Sequence, residues 1–216
     1  METEPTGRAI ARVILAHGAG APMTSPFMEQ MAALLAIRGI AVTRFEFSYM
    51  AARRTGGKRR PPPKAETLVP EYAAAVAAII ERDGTHALPL LVGGKSMGGR
   101  VASLAADELH RGGLLAGVFA LGYPFHPPGM PDKLRTGHLE ALSAPMLIVQ
   151  GERDPFGSRD EVEALRLSPT ISLMWAPDGD HDLGPRGGKG FTRRGNMEAA
   201  ADALAAFAGR IADERT

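Results

Sequence analysis

Short apolar runs rich in branched residues alternate along this chain with longer stretches of helical periodicity. Six runs have the length and character of strands: 9–16, 41–47, 88–93, 115–121, 145–150 and 171–175. They are mainly apolar, the pattern of parallel strands covered on both faces. Between them, Phe27, Met31, Leu34 and Leu35 fall on one helical stripe, and Tyr72, Val76, Ile79 and Ile80 on another. Val101, Leu104, Ala105 and Leu109 make a third, and 159–167 supplies a short helix. The final segment carries Met197, Ala201, Leu204, Ala208 and Ile211 on one face, suited to docking on a sheet. Strands and helices in strict alternation predict an α/β fold with a parallel sheet covered on both sides.

Composition adds limits. With 216 residues, 44% of them hydrophobic and 23% charged, the chain reads as one domain spanning 1–216, large enough for a substantial core. The formal net charge of +1 gives no global pull toward nucleic acid or a membrane. The absence of cysteine excludes disulfides, thiolate metal sites and a cysteine nucleophile. The amino-terminal segment has acidic residues where a secretory signal has basic ones, and its apolar run is too short to span a bilayer. These features predict a soluble cytoplasmic protein.

The stretch GGKSMGGR at 93–100 admits two chemistries. Gly94-Lys95-Ser96 resembles the end of a phosphate-binding loop, but that pattern requires a glycine where Pro89 stands. The apolar strand also runs almost directly into Ser96, leaving too little chain to wrap a phosphate. Read as G-x-S-x-G, the same residues form a strand, a one-residue elbow and a helix. That turn exposes a serine hydroxyl over a helix amino terminus. A serine needs a base, and the base needs an orienting group. Asp154 follows the run ending at 150, and His181 follows the run ending at 175, so the chain order is Ser, Asp, His with each member after a different strand. Asp178, Asp180 and Asp182 crowd His181 and are alternative partners for it. Of the six histidines, His181 alone follows the last strand; His86, His110, His126 and His138 read as surface or packing residues.

Together HGAG at 17–20, GGKSMGGR, GERDPFG and DGDHDL resemble the α/β-hydrolase superfamily, in particular small lidless serine hydrolases of dienelactone-hydrolase type. The resemblance spans nearly the whole chain. It implies a minimal α/β-hydrolase fold, doubly wound and mainly parallel, with six strands in the order second, first, third, fourth, fifth, sixth and no cap domain. It also implies Ser96 as nucleophile, His181 as general base and Asp154 as its orienting acid. The oxyanion donors would be the backbone amides of Met97 and Ala19, with no metal or organic cofactor. The chain departs from the family in two respects: the nucleophile is serine where dienelactone hydrolases carry cysteine, and the usual amino-terminal strand pair is missing. The expected reaction is hydrolysis of a small ester, thioester or lactone, with peptidase, thioesterase and carboxylesterase all open.

Met23, Phe27, Tyr49, Met50, Tyr123, Phe125 and Phe156 fall in strand-end loops, where they either line an acyl pocket or pack their own loops. Lys95 reads as a solvated neighbour of the serine. Residues 53–64, RRTGGKRRPPPK, hold six basic residues, no acid and three consecutive prolines, the composition of an extended loop with a stiff polyproline end. Residues 184–195 are a second glycine-rich loop with four basic residues and no acid. Without the first loop the chain has 19 basic against 24 acidic residues, so its cations are concentrated. Such loops either favour an anionic substrate or partner or serve as a solubilising surface. The competing class is a non-catalytic binding module that contacts an anionic partner through them.

Overall fold

The computed structural model describes residues 1–54, 56, 61–84, 88–187 and 190–214. Each apolar run forms a strand: β2 (Ala11–Ala16), β3 (Ile40–Phe45), β4 (Leu90–Lys95), β5 (Gly117–Leu121), β6 (Met146–Gly151) and β7 (Ile171–Ala176). A seventh strand, β1 (Glu2–Thr3), precedes them, so the sheet has seven strands where the sequence pattern indicates six. Two residues without apolar alternation give no pattern to detect. Polar contacts hold β1: it pairs antiparallel with β3, and the Glu2 carboxylate accepts hydrogen bonds from Thr43 Oγ1 (2.7 Å), Arg12 (3.1 Å) and Arg82 (2.8 Å).

The sheet order is β1-β3-β2-β4-β5-β6-β7, and every pair beyond the first is parallel. The chain winds outward from β2 to β3, then jumps to the other side of β2 to begin β4. Strand order therefore reverses between β2 and β4, and their carboxyl ends open a crevice where open α/β sheets bind ligands. Both ends are in register there, Ala16 opposite Gly94.

Helices α1 (Pro26–Ile37) and α6 (Arg193–Glu214) cover one face of the sheet, and α3 (Ala65–Asp83) and α4 (Met97–Arg111) the other. Met31, Leu35, Met197, Leu204 and Ala208 pack on Val13, Leu15 and Phe119. Across the sheet, Tyr72, Val76, Val101 and Ala105 pack on Ile14, Val92 and Val118. The predicted stripes are therefore the buried faces. The smaller helices are α2 (Ser48–Arg54) and α5 (Arg159–Glu163), the latter shorter than the periodicity indicates. Between β5 and β6, residues 122–145 carry a single 3₁₀ turn, Gly137–Leu139, in place of a helix. No described helix is long and apolar enough to cross a membrane.

The basic segment is not one loop. Arg53 and Arg54 complete α2, whereas 61–64 run without helix or strand into α3. Lys64, at φ −65° and ψ 142°, continues in polyproline geometry after the three prolines. Residues 55 and 57–60 of this segment, His86, and Gly188 and Lys189 of the second basic stretch lie outside the described residues. Arg193 and Arg194 of that second stretch begin α6.

Candidate active site

The elbow between β4 and α4 is tight enough to require its glycines. A β-carbon on Gly94 would lie 2.3 Å from the Ala16 carbonyl oxygen, and one on Gly98 would lie 2.5 Å from the same atom. Both approaches are to backbone, which cannot swing aside. Gly98→Ala is expected to destabilise the fold by roughly 1–3 kcal/mol, the range for overpacking a close-packed interior, and a thermal melt several degrees below wild type would show it.

Ser96 occupies the elbow with φ 50° and ψ −113°, outside the regions open to most L-residues. Such a conformation costs about 1–3 kcal/mol and persists only where its surroundings over-determine it. Here the Ser96 amide donates to Leu121 O at 3.0 Å, and the Ser96 carbonyl accepts the first helical bond from Arg100 at 3.1 Å. Ser96 is partly exposed between two buried neighbours, Lys95 and Met97. The Met97 and Ala19 amides donate no hydrogen bond within the described residues, and both residues line one cavity with Ser96.

The 17–20 loop is held by two aromatic side chains. His17 is fully buried; its Nδ1 lies 2.6 Å from Gly18 O, and its Nε2 accepts the Phe47 amide at 3.1 Å. These partners place the proton on Nδ1, donating to Gly18 O. Burial lowers the imidazole pKa and favours this neutral form. Tyr49 Oη donates to Ala19 O at 3.0 Å. The residue carrying the second amide is thus fixed from behind, and Tyr49 contributes to the site as a clamp on the loop.

Asp154 and His181 meet across the ends of β6 and β7. His181 Nδ1 is 2.8 Å from Asp154 Oδ2, with the carboxylate fully buried and the imidazole partly exposed. Two further donors fix that carboxylate: Gln150 Nε2 reaches Oδ2 at 3.0 Å, and the Phe156 amide reaches Oδ1 at 2.8 Å. Gln150 is itself locked by Tyr123, accepting its amide at 2.7 Å. The Phe156 ring lies against the imidazole, centroids 4.3 Å apart. With its Nδ1 proton directed at Asp154, His181 keeps Nε2 free to accept a proton. The other aspartates have different partners. Asp178 binds Arg186 and Arg153, and these bonds, Arg186 foremost, push its pKa down to about 2. Asp180 caps its own turn through the Asp182 and Gly184 amides, and Asp182 lies beside Lys95.

Lys95 differs from its sequence reading as a solvated residue. It is buried, with Nζ 3.3 Å from Asp182 Oδ1 and 5.5 Å from the centre of the Phe27 ring, and burial lowers its pKa. It ties the serine elbow to the histidine loop.

Two cavities meet at Ser96. One, of about 460 Å³, is lined by Phe27, Lys95, Ser96, Phe156, His181 and Arg193 among others. The second, of about 510 Å³, is lined by Ser96, Met97, Pro62, Pro63, Arg100 and Arg135 among others. Of the aromatic and methionine residues in strand-end loops, Phe27 and Phe156 line them. Tyr123 and Phe125 have no exposed surface and belong to the core beneath the site, where Tyr123 holds Gln150. Met50 is buried too, and Met23 is half-buried with its amide 3.4 Å from Glu46 Oε1. Tyr123 follows β5 as Ser96 follows β4, but Gln150 draws its backbone inward, so position in a strand-end loop does not determine exposure. Gln150 gives one sequence signal of its own: a polar residue closing an apolar strand.

A second serine and histidine lie close together. Ser103 Oγ on α4 is 2.8 Å from His138 Nε2, with Tyr123 Oη 3.4 Å from the same nitrogen. Ser103 has ordinary helical backbone, is buried, and bonds back to Arg100 O at 2.8 Å. No carboxylate hydrogen-bonds His138 among the described residues. Burial, then the Arg100 cation, push the His138 pKa down to about 4, an environment that keeps the imidazole neutral. Stability linked to His138 is fully present above its unfolded pKa of about 6.5 and lost as pH falls toward 4, because only the unfolded chain takes up the proton in that window. Urea midpoints measured between pH 7 and 4 should fall, and His138→Gln should flatten that dependence.

Among the described residues no group of three or more His, Cys, Asp or Glu is arranged to hold a metal ion. The α/β hydrolase domain model matches residues 9–209. Among solved structures, dienelactone hydrolase from Anabaena variabilis superposes with a TM-score of 0.70 at 23% identity, over 95% of this chain and 88% of that one. An α/β serine hydrolase homologue from Coxiella burnetii gives 0.68 at 20% identity, over 96% and 89%. Est1E from Butyrivibrio proteoclasticus with bound ferulic acid gives 0.64 at 15% identity, over 96% and 92%. The strand order, the strained serine between β4 and α4 and a family match over nearly the whole length agree: this chain belongs to the α/β hydrolase family.

Proposed function

We propose that this protein is a serine hydrolase that cleaves an ester, thioester or lactone through an acyl-enzyme. The observation that carries the reading is the His181–Asp154 hydrogen bond of 2.8 Å, with His181 and Ser96 on the wall of one cavity. In this mechanism Ser96 Oγ bonds to the substrate carbonyl carbon as its proton passes to His181 Nε2. The carbonyl oxygen takes the negative charge, facing the Met97 and Ala19 amides at the positive end of α4. Collapse breaks the ester bond, and His181 returns the proton to the leaving oxygen. Water repeats the sequence on the acyl-enzyme, with Asp154 holding the imidazole tautomer throughout. Ferulic acid in Est1E lends support to an ester of a carboxylic acid as the substrate class.

A non-catalytic module that uses this scaffold only for binding gives no reason for the Ser96 strain or for the buried carboxylate aimed at His181. Hydrolysis of a 4-nitrophenyl ester series from acetate to octanoate tests the proposal. Turnover that saturates with substrate supports it, and no turnover of any member counts against it.

A further inference from the structure

Resting on the proposed hydrolase reading, we infer that the 510 Å³ cavity is an acyl site that selects acids: Arg100 and Arg135 on its wall bind a carboxylate at the far end of a short acyl chain. His181 must hand a proton to the leaving oxygen, so the leaving group belongs in the cavity that His181 lines. The other cavity shares Ser96 but lacks His181, and is therefore left for the acyl group.

The charged wall of that second cavity is unbalanced. Lys64, Arg100 and Arg135 face it against one carboxylate, Glu66. Glu66 is committed to Arg100 through its guanidinium and stands more than half exposed at the rim. Arg100 Nε is buried without a hydrogen-bond partner, and the Arg135 guanidinium has neither hydrogen bond nor ion pair among the described residues. Burial and then the neighbouring Arg100 cation lower the Arg135 pKa, and Glu66 opposes them only in part. Arg135 is also held in place: its amide donates to Phe125 O at 2.7 Å, and its carbonyl accepts from Tyr123 Oη. A planar carboxylate matches the donors of a guanidinium and would neutralise the excess.

Distance sets the length of the acyl chain. Arg100 lies four residues beyond Ser96 along α4, about 6 Å of rise. Ala19, Phe156, Pro62, Pro63 and Pro124 line the space with apolar surface. A few methylenes thus fit between the scissile carbonyl and the anion. The substrate class is a half-ester of a short dicarboxylic acid.

The test compares mono-4-nitrophenyl glutarate with its neutral counterpart, 4-nitrophenyl valerate. The expected result is a kcat/KM ratio favouring the acid by about tenfold or more, the size of one charge-assisted hydrogen bond. That ratio should fall toward one in Arg135→Gln and persist in Arg166→Gln, which removes the same charge from an exposed position elsewhere. In wild type alone, raising salt from 0.02 to 0.5 M should narrow the ratio, a readout that needs no variant. Cleavage of the valerate ester without preference for the acid, or a preference undiminished in Arg135→Gln, overturns the subsite and leaves the hydrolase reading standing. Cleavage of neither ester overturns both.

Discussion

Ser96→Ala is expected to lower kcat by about 10⁴- to 10⁶-fold while the protein remains folded, the range seen when the nucleophile of a serine triad is removed. The substitution deletes one oxygen from a partly exposed position and leaves the main-chain bonds to Leu121 and from Arg100 in place. Alanine must still adopt the φ of 50°, so the strain remains and the melting temperature should stay within a few degrees of wild type. Loss of activity together with loss of structure would point to serine as a scaffold residue. Loss of activity alone assigns it the chemistry.

Asp154→Asn should cost about 10⁴-fold in kcat and, unlike Ser96→Ala, should also destabilise the fold. The two carboxylate oxygens accept three donors: His181 Nδ1 and Gln150 Nε2 on Oδ2, and the Phe156 amide on Oδ1. An asparagine has a single oxygen to offer. With that oxygen toward Phe156, the amide group faces both the imidazole and the glutamine, donor against donor. His181 then either loses its partner or moves its proton to Nε2, where it can no longer take one from Ser96. With the oxygen toward His181, the Phe156 amide is left facing a donor in a buried site. An unsatisfied buried polar group costs roughly 1–3 kcal/mol, and a urea titration beside the kinetics would record both effects. An Asp154→Asn variant with wild-type kcat would remove this residue from the mechanism.

The backbone of this protein is legible in its sequence because strands β2 to β6 are buried on both faces and the long helices on one, so periodicity reports burial directly. Ile14, Val92 and Val118 are apolar for the same reason that they are core. β1 escaped because it is held by the charges around Glu2. Arg53 and Arg54 carry a loop pattern because the basic, glycine-bearing segment they open hides the last turn of α2. The candidates Ser96, Asp154 and His181 are legible because each follows a strand end, which is a local signal. What surrounds them depends on which side chains converge from distant segments. Lys95 is polar in the sequence but buried because the histidine loop folds over it, bringing Asp182 and Phe27 to its ammonium. Tyr123 follows a strand as Ser96 does, yet it supports Gln150 from the core. The Arg100–Arg135 wall joins residues 35 positions apart in the chain: Arg100 ends the serine motif without a role in it, and Arg135 carries no motif.

The central claim, that Ser96 is an activated nucleophile, is tested most directly by treating the folded protein with a fluorophosphonate and mapping the adduct by peptide mass spectrometry. One adduct is expected, on Ser96, abolished in His181→Ala and unaffected in His138→Gln. An adduct on Ser103, or no adduct on the folded protein, would contradict it.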